Sequence, residues 1–310
     1  MELSVIIPVY NEEKNIFVLH QRLSEVIRKV TGDYELIFIN DGSSDNTFHL
    51  VKNISLADTH VKYISFSRNF GHQVAVTAGL ENSKGNAVVI IDADLQDPPE
   101  LIENMYLKMK EGYDVVYAKR KSRQGETFMK KFTAKVFYRV LQRITSVNIP
   151  VDTGDFRIIS RNIVNVLKQM PEQQKYLRGQ IAWAGYRQTF IEYQREQRHA
   201  GESGWPYHKM IRFALDGITS FSNFPLKFAT LSGIFVFLLS LVLILYTLYS
   251  RFIVQVYVAG WTSLMLVVLF LGSIQLLCIG IIGEYISRIS ANIRNRPLYI
   301  IEETNLTDRR

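Results

Sequence analysis

Cysteine is almost missing from this chain. Cys278 is the single one, so no disulfide can close within it. Metal-ligand spacing among histidines is missing too: His20, His49, His60, His72, His199 and His208 are scattered, and most read as solvated surface residues. There is no Walker-type phosphate loop, no Gly-x-Ser-x-Gly and no zinc signature, which sets aside P-loop hydrolases, α/β-hydrolases and zinc modules. The opening Met1-Glu2-Leu3-Ser4 has neither a basic start nor a long apolar stretch, so no signal peptide is read and the first domain is expected on the cytoplasmic side. Charge is nearly missing between Phe228 and Gly283, where Arg251 stands alone. The chain as a whole nevertheless carries a formal charge of +7, with a pI near 9.3. Such a balance suits nucleic acid, anionic lipid or a phosphorylated substrate. The basic residues are dispersed and no nucleic-acid motif accompanies them, which leaves the last two.

What is present falls into two halves. Before Lys227, short apolar runs alternate with helical periodicity. Strands are expected at Ser4–Val9, Leu36–Ile39, Val61–Phe66, Ala87–Ile91 and Asp114–Tyr117, with a helix over Asn11–Val30. Continuous apolar runs between helices indicate parallel strands buried on both faces. Ligands of such sheets bind at the carboxyl ends of the strands. The polar clusters Tyr10-Asn11-Glu12, Asp41-Gly42-Ser43 and Asp92-Ala93-Asp94 all follow strands. Phe128, Phe132, Val136, Val140 and Ile144 make the stripe of an amphipathic helix flanked by Lys130, Lys131, Lys135, Arg139 and Arg143. That helix either packs on the core or rests on anionic lipid.

After Lys227 the character changes. Residues 228–250 and 252–283 carry no charge, and about 20 apolar residues suffice to span a bilayer as a helix. Two spans are expected, roughly 228–249 and 261–284, after an interfacial helix that includes Met210, Ile211, Phe213, Ile218 and Phe221. Lys209, Arg212 and Lys227 precede the spans and Arg288, Arg294 and Arg296 follow them, so both ends are expected in the cytoplasm. The tail stretch Pro297–Ile301 can form a strand against a neighbouring subunit or its own domain. Two spans per chain also offer a surface for a homo-oligomer.

The chemistry is concentrated at strand ends. Asp92 and Asp94, leaving the run Val88–Ile91, suit Mg²⁺ or Mn²⁺ bridging to a diphosphate, with Gln96 as an accessory metal ligand. Asp97-Pro98-Pro99-Glu100 reads instead as a helix start, with Asp97 as N-cap and Glu100 completing a capping box. The segments Ile6–Glu12, Asn40–Asp45 and Asp92–Asp94, in this order, resemble the large inverting glycosyltransferase family 2, whose fold is named GT-A. Asp152–Arg157 and Arg198–Ser203 are similar to its dolichol-phosphate mannose synthase and bactoprenol glucosyltransferase branch. The fold implied is α/β, a Rossmann-like, mostly parallel sheet followed by a two-helix transmembrane domain. The expected division is 1–205 for the transferase domain, 206–224 for the interfacial helix, 225–290 for the two spans and 291–310 for a cytoplasmic tail.

The resemblance implies nucleotide-sugar contacts at Pro8, Tyr10, Asn11, Glu12, Ile39 and Asp41, continued at Asp92, Ala93, Asp94 and Arg120. It implies catalytic places for Asp94 and Asp155, and lipid-phosphate contacts at Arg157, Arg198 and Ser203. Relatives often follow the Gly-Glu-Ser stretch with lysine. Here Gly204 and Trp205 follow, leaving His208 or Lys209 to supply that charge, or nothing. A phosphomonoester has its second pKa near about 6 and is already largely ionised at neutral pH. Asp155 is therefore expected to position and stabilise, with base catalysis as the lesser alternative. The implied activity is inverting transfer of a sugar, with UDP-glucose as the expected donor, to undecaprenyl or dolichyl phosphate at the cytoplasmic membrane face. Two other readings are a processive polysaccharide synthase, for which the Gln-x-x-Arg-Trp motif is missing, and a non-catalytic membrane scaffold.

Overall fold

A computed structural model describes residues 1–121, 153–194, 224–249, 253 and 260–306. Eight strands form one sheet: β1 (Leu3–Val9), β2 (Tyr34–Asn40), β3 (Val61–Phe66), β4 (Ala87–Ile90), β5 (Val115–Arg120), β6 (Thr153–Ser160), β7 (Gln188–Tyr193) and β8 (Ile301–Thr304). Their spatial order is β7-β5-β6-β4-β1-β2-β3-β8. The centre, β4-β1-β2-β3, is parallel, as the apolar runs predict.

The sheet as a whole is mixed. β6 runs antiparallel between β4 and β5, and β8 runs antiparallel along β3. The reversal of β6 has a functional effect, because it brings that strand's beginning, Gly154–Arg157, to the carboxyl edge of β4.

Side-chain alternation splits the core into two layers. Leu3, Val5 and Ile7 of β1 face one side with α1 (Ile16–Val30), α2 (Thr47–Ala57) and α4 (Leu101–Lys110). Ile6 of β1 and Ile37 and Ile39 of β2 face the other, with α3 (His72–Asn82), α5 (Arg161–Lys168) and α6 (Leu177–Trp183). Each fully buried Leu or Ile contributes about 1.5–3 kcal/mol, so the double-sided burial dominates stability.

Two helix starts differ from expectation. The first helix begins at Ile16 rather than Asn11, because Asn11 sits in the left-handed region at φ 56° and the following residues turn toward the β2–α2 loop. Glu100, not Asp97, stands at the N-cap of α4, and no side chain caps it.

Beyond the sheet come α7 (Phe224–Tyr249) and α8 (Trp261–Ile293). Leu231, Phe235, Leu238 and Val242 of α7, and Val268, Leu276 and Leu277 of α8, are exposed apolar side chains. The Cys278 thiol reaches the Ala229 carbonyl oxygen at 3.6 Å, so the two helices touch. Among the described residues one segment, Phe270–Ile293, is long and apolar enough to cross a membrane. The amphipathic helix over 128–144, residues 206–223 of the expected interfacial helix and the boundary at 205 lie outside the described residues, while Phe224 already belongs to α7.

The tail does not stand apart from the α/β domain. After α8 the chain returns to the sheet as β8. Tyr299 stacks on Phe66 with ring centroids 5.0 Å apart and donates to Glu81 at 2.6 Å. Asn305 accepts from the Tyr63 amide at 2.7 Å, and Lys52 pairs with Glu303 at 2.7 Å.

Candidate active site

The site lies where the parallel strands end. At the exits of β1 and β2, two loops are sewn together. Ser43 accepts from the Asn11 amide, Asn11 accepts from the Ser44 amide, and Thr47 accepts from the Glu12 amide. Glu12 itself accepts from Asn15 at 2.6 Å. Tyr10 stands 49% exposed above this seam, free to cover a planar ring. Pro8 and Ile39, expected at the nucleotide, have their side chains inside the sheet. Ile39 packs into the α3 layer, so only its backbone can line a ligand site.

Asp41 is buried and braces a third loop. Its oxygens accept from the amides of Phe70 at 2.6 Å and Gly71 at 3.0 and 3.2 Å. Burial pushes this carboxyl up, while the two amides pull against that shift. Gly42 beside it has φ +68°, and a Cβ there would lie 2.5 Å from the Arg68 carbonyl carbon. Glycine is therefore demanded by both conformation and space.

At the exit of β4 the chain bends sharply. Leu95 is buried at φ 58°, a left-handed conformation costly for a branched side chain. The bend lets the Gln96 amide donate to Asp94 Oδ1 at 3.1 Å. Ala93 and Asp94 are buried, while Asp92 faces the cleft half-buried. Asp92 Oδ1 has no hydrogen-bond partner. Desolvation, with the like charges of Asp155, Asp97 and Asp94, pushes the Asp92 carboxyl up to about 6 against the opposing pull of His72.

Such crowding of carboxylates fits a divalent cation, which would relieve it. Among the described residues no three Asp, Glu, His or Cys side chains converge on one ion. Mg²⁺ typically takes one or two protein carboxylates and completes its shell with phosphate oxygens and water. Asp92 and Asp94 would hold it, with Gln96 adjacent.

Across the cleft, β6 presents Asp155 to three cations. Arg157 Nη2 donates to Asp155 Oδ1 at 3.1 Å and Arg178 Nε to the same oxygen at 2.9 Å. His72 Nε2 lies 3.2 Å from Asp155 Oδ2 and 3.6 Å from Asp92 Oδ1, in ion-pair range without hydrogen-bond alignment. Desolvation opposes ionisation of Asp155, but Arg178, His72 and Arg157 hold it well below the usual carboxylate range. Desolvation likewise opposes charge on His72, yet Asp92 and Asp155 push it up to about 9. Arg157, expected at a lipid phosphate, is 1% exposed and donates to the Gly154 and Asp155 carbonyl oxygens. It sits behind Asp155 and stiffens it.

Arg120 ends β5 beside Gly154, 3.3 Å from the Tyr193 hydroxyl and 4.0 Å from Asp97. Asp97 is fully buried and accepts from Tyr193, a place other than the helix cap expected for it. Arg198 and Ser203 lie outside the described residues.

The structure thus brings Asp92, Asp94, Asp155, Arg157 and Arg120 to one edge. The strand-end rule points to Asp92 and Asp94, while Asp155 and Arg157 reach that edge from the beginning of the reversed β6. His72, Arg178 and Tyr193 join them unannounced. His72 follows the exit of β3 and was open to the same rule that found Asp41 and Asp92. Arg178 carries no such signal, because it arrives on α6 from the opposite layer.

Comparison with known proteins bears on the whole chain. Residues 4–167 match the family described as "Glycosyl transferase family 2", and residues 224–289 match "GtrB C-terminal hairpin". The uncharacterized glycosyltransferase YkcC of Bacillus subtilis (strain 168) is 47% identical, over 98% of this chain and 94% of that protein. The uncharacterized glycosyltransferase sll0501 of Synechocystis sp. is 48% identical, over 98% and 95%. A bactoprenol glucosyl transferase of Shigella phage SfII is 39% identical, over 98% and 99%.

Proposed function

Because the chain belongs to glycosyl transferase family 2, and so is a glycosyltransferase, we propose that it moves glucose from UDP-glucose onto undecaprenyl phosphate at the cytoplasmic membrane face. The observation that carries this reading is the meeting of Asp92 and Asp94 with the cation-bound Asp155 at the carboxyl edge of the sheet. The bactoprenol glucosyl transferase relatives, similar over nearly their full length, support the lipid acceptor and the sugar.

The reaction is a single in-line displacement. An acceptor phosphate oxygen forms a bond to the anomeric carbon as the bond from that carbon to the diphosphate oxygen breaks. The electron pair leaves with the nucleoside diphosphate, and the anomeric configuration inverts. A bound Mg²⁺ or Mn²⁺ would neutralise charge on the departing diphosphate. The loops at Tyr10–Glu12 and Asp41–Ser43 border the place for the nucleotide, Tyr10 covering its base. Arg120, at the end of β5, faces the diphosphate. Asp155, held ionised by its cations, is a poor proton acceptor. The acceptor phosphate needs none, so Asp155 acts by position and electrostatics. The exposed apolar faces of α7 and α8 support a two-helix anchor, and the basic residues that flank the apolar segments support both ends in the cytoplasm.

The test is transfer by full-length protein in detergent, with undecaprenyl phosphate, Mg²⁺ or Mn²⁺ and a panel of labelled nucleotide-sugars. UDP-glucose should label the lipid, and Asp94→Ala should lower the rate by about 10²-fold or more, the scale for losing one charge-stabilising group. Labelling from another donor overturns the sugar. No labelling by a folded protein that binds UDP overturns the acceptor.

A further inference from the structure

We propose that Arg178 receives the acceptor's phosphate, on the segment that links the end of helix α8 to Asp155. The inference rests on the lipid-phosphate reading above and assigns a residue to it.

Two guanidiniums converge on Asp155 Oδ1, and they are not equivalent. Arg157 is 1% exposed, enclosed by the Gly154 and Asp155 carbonyls and by the Tyr117 ring 5.3 Å away. Arg178 is 25% exposed and stands at the rim. A phosphate dianion can reach the second and not the first. The bond from Arg178 Nε to Asp155 fixes the plane of the guanidinium, and a planar fork is the geometry that grips phosphate oxygens in pairs.

The segment that carries this rim is also tethered to the end of the long helix. In the last turn of α8, Asn292 Oδ1 accepts from the Gln173 amide at 3.0 Å. At the other end of the short segment that follows, the Leu177 amide donates to Gln73, next to His72, at 3.2 Å. The chain from Gln173 to Arg178 spans at most roughly 17 Å and is clamped by α8 and α3. A polyprenyl phosphate brings its headgroup from the bilayer, and a rim tethered to the end of α8 offers it a route to Asp155. The far end of α6 adds Trp183, 61% exposed, and Tyr186 follows it, residue types that favour a membrane–water interface.

The experiment measures steady-state transfer by full-length protein in detergent, varying undecaprenyl phosphate and UDP-glucose separately, for wild type, Arg178→Gln and Arg178→Lys. UDP binding by calorimetry monitors the donor side of each. Arg178→Gln should raise the acceptor KM about 10- to 100-fold, the scale of a lost charge-assisted hydrogen bond. Donor KM and UDP affinity should stay within about twofold, and Arg178→Lys should recover part of the loss. If Arg178→Gln does not fold, Arg178→Lys decides by the same split: a raised acceptor KM with an unchanged donor KM supports the assignment. An unchanged acceptor KM, or acceptor and donor KM rising together, overturns Arg178 while leaving the lipid-phosphate reading intact. A wild type that labels no polyprenyl phosphate overturns both.

Discussion

Gly42 shows how narrowly the site's loops are specified. Its φ of +68° and the 2.5 Å clash awaiting any Cβ mean that Gly42→Ala must push the β2 exit away from Arg68 and Asn69. Asp41, the next residue, would lose its grip on Phe70 and Gly71. We expect Gly42→Ala to destabilise the protein by about 1–3 kcal/mol, the cost of one strained backbone residue, read as a lowered midpoint of chemical unfolding in detergent. UDP affinity should fall with it, because Tyr10 stands on the same seam. An unchanged midpoint would mean the loop yields without cost. At the residue scale, the strand exits that carry acidic motifs place Asp41, Asp92 and Asp94 together at one edge of the sheet. The side chains of Ile39 and Arg157 are buried, which a sequence run does not reveal because it does not say which of two faces a side chain takes. Arg178 was illegible for a different reason: its partner is Asp155, 23 positions away on another layer of the fold.

At the scale of elements, apolar runs and periodicity located β1 to β5 and the first helix within a few residues. They could not give the direction of β6, because a buried antiparallel strand and a buried parallel one look alike in composition. That direction decides the site, since only a reversed β6 delivers Asp155 to the end of β4. The tail strand, expected at Pro297–Ile301 with two possible partners, lies at Ile301–Thr304 instead, and β3 of the same chain is its partner. Tyr299 contributes both a stacked ring and a hydrogen bond to that closure. Tyr299→Phe should cost about 1 kcal/mol for the lost bond to Glu81. Tyr299→Ala should cost more, because the contact with Phe66 goes as well. Thermal unfolding of the two variants side by side separates these contributions, and equal losses would assign the whole effect to the hydrogen bond with Glu81.

At the scale of the whole molecule, the charge asymmetry around the apolar segments predicts that both ends share one side of the membrane. A Cys278→Ser background leaves no native thiol, so single cysteines can report topology. Arg251→Cys, between the expected spans, should react with an impermeant thiol reagent in intact cells. Asn295→Cys should react only after the cells are opened. Reaction of both from outside would refute the two-span arrangement.

The edge position of β8 has a consequence for biosynthesis. Strand β3 is made early, but the strand that covers its outer edge is encoded beyond both long helices. While the ribosome translates the hairpin, that edge stays bare, with its amides and carbonyls open to pairing with any passing chain. The sheet therefore cannot be finished until the helices have been delivered and the last strand has returned. A chain that stops before that strand leaves the outer edge of β3 unpaired, so the α/β domain is completed only by residues encoded after both long helices.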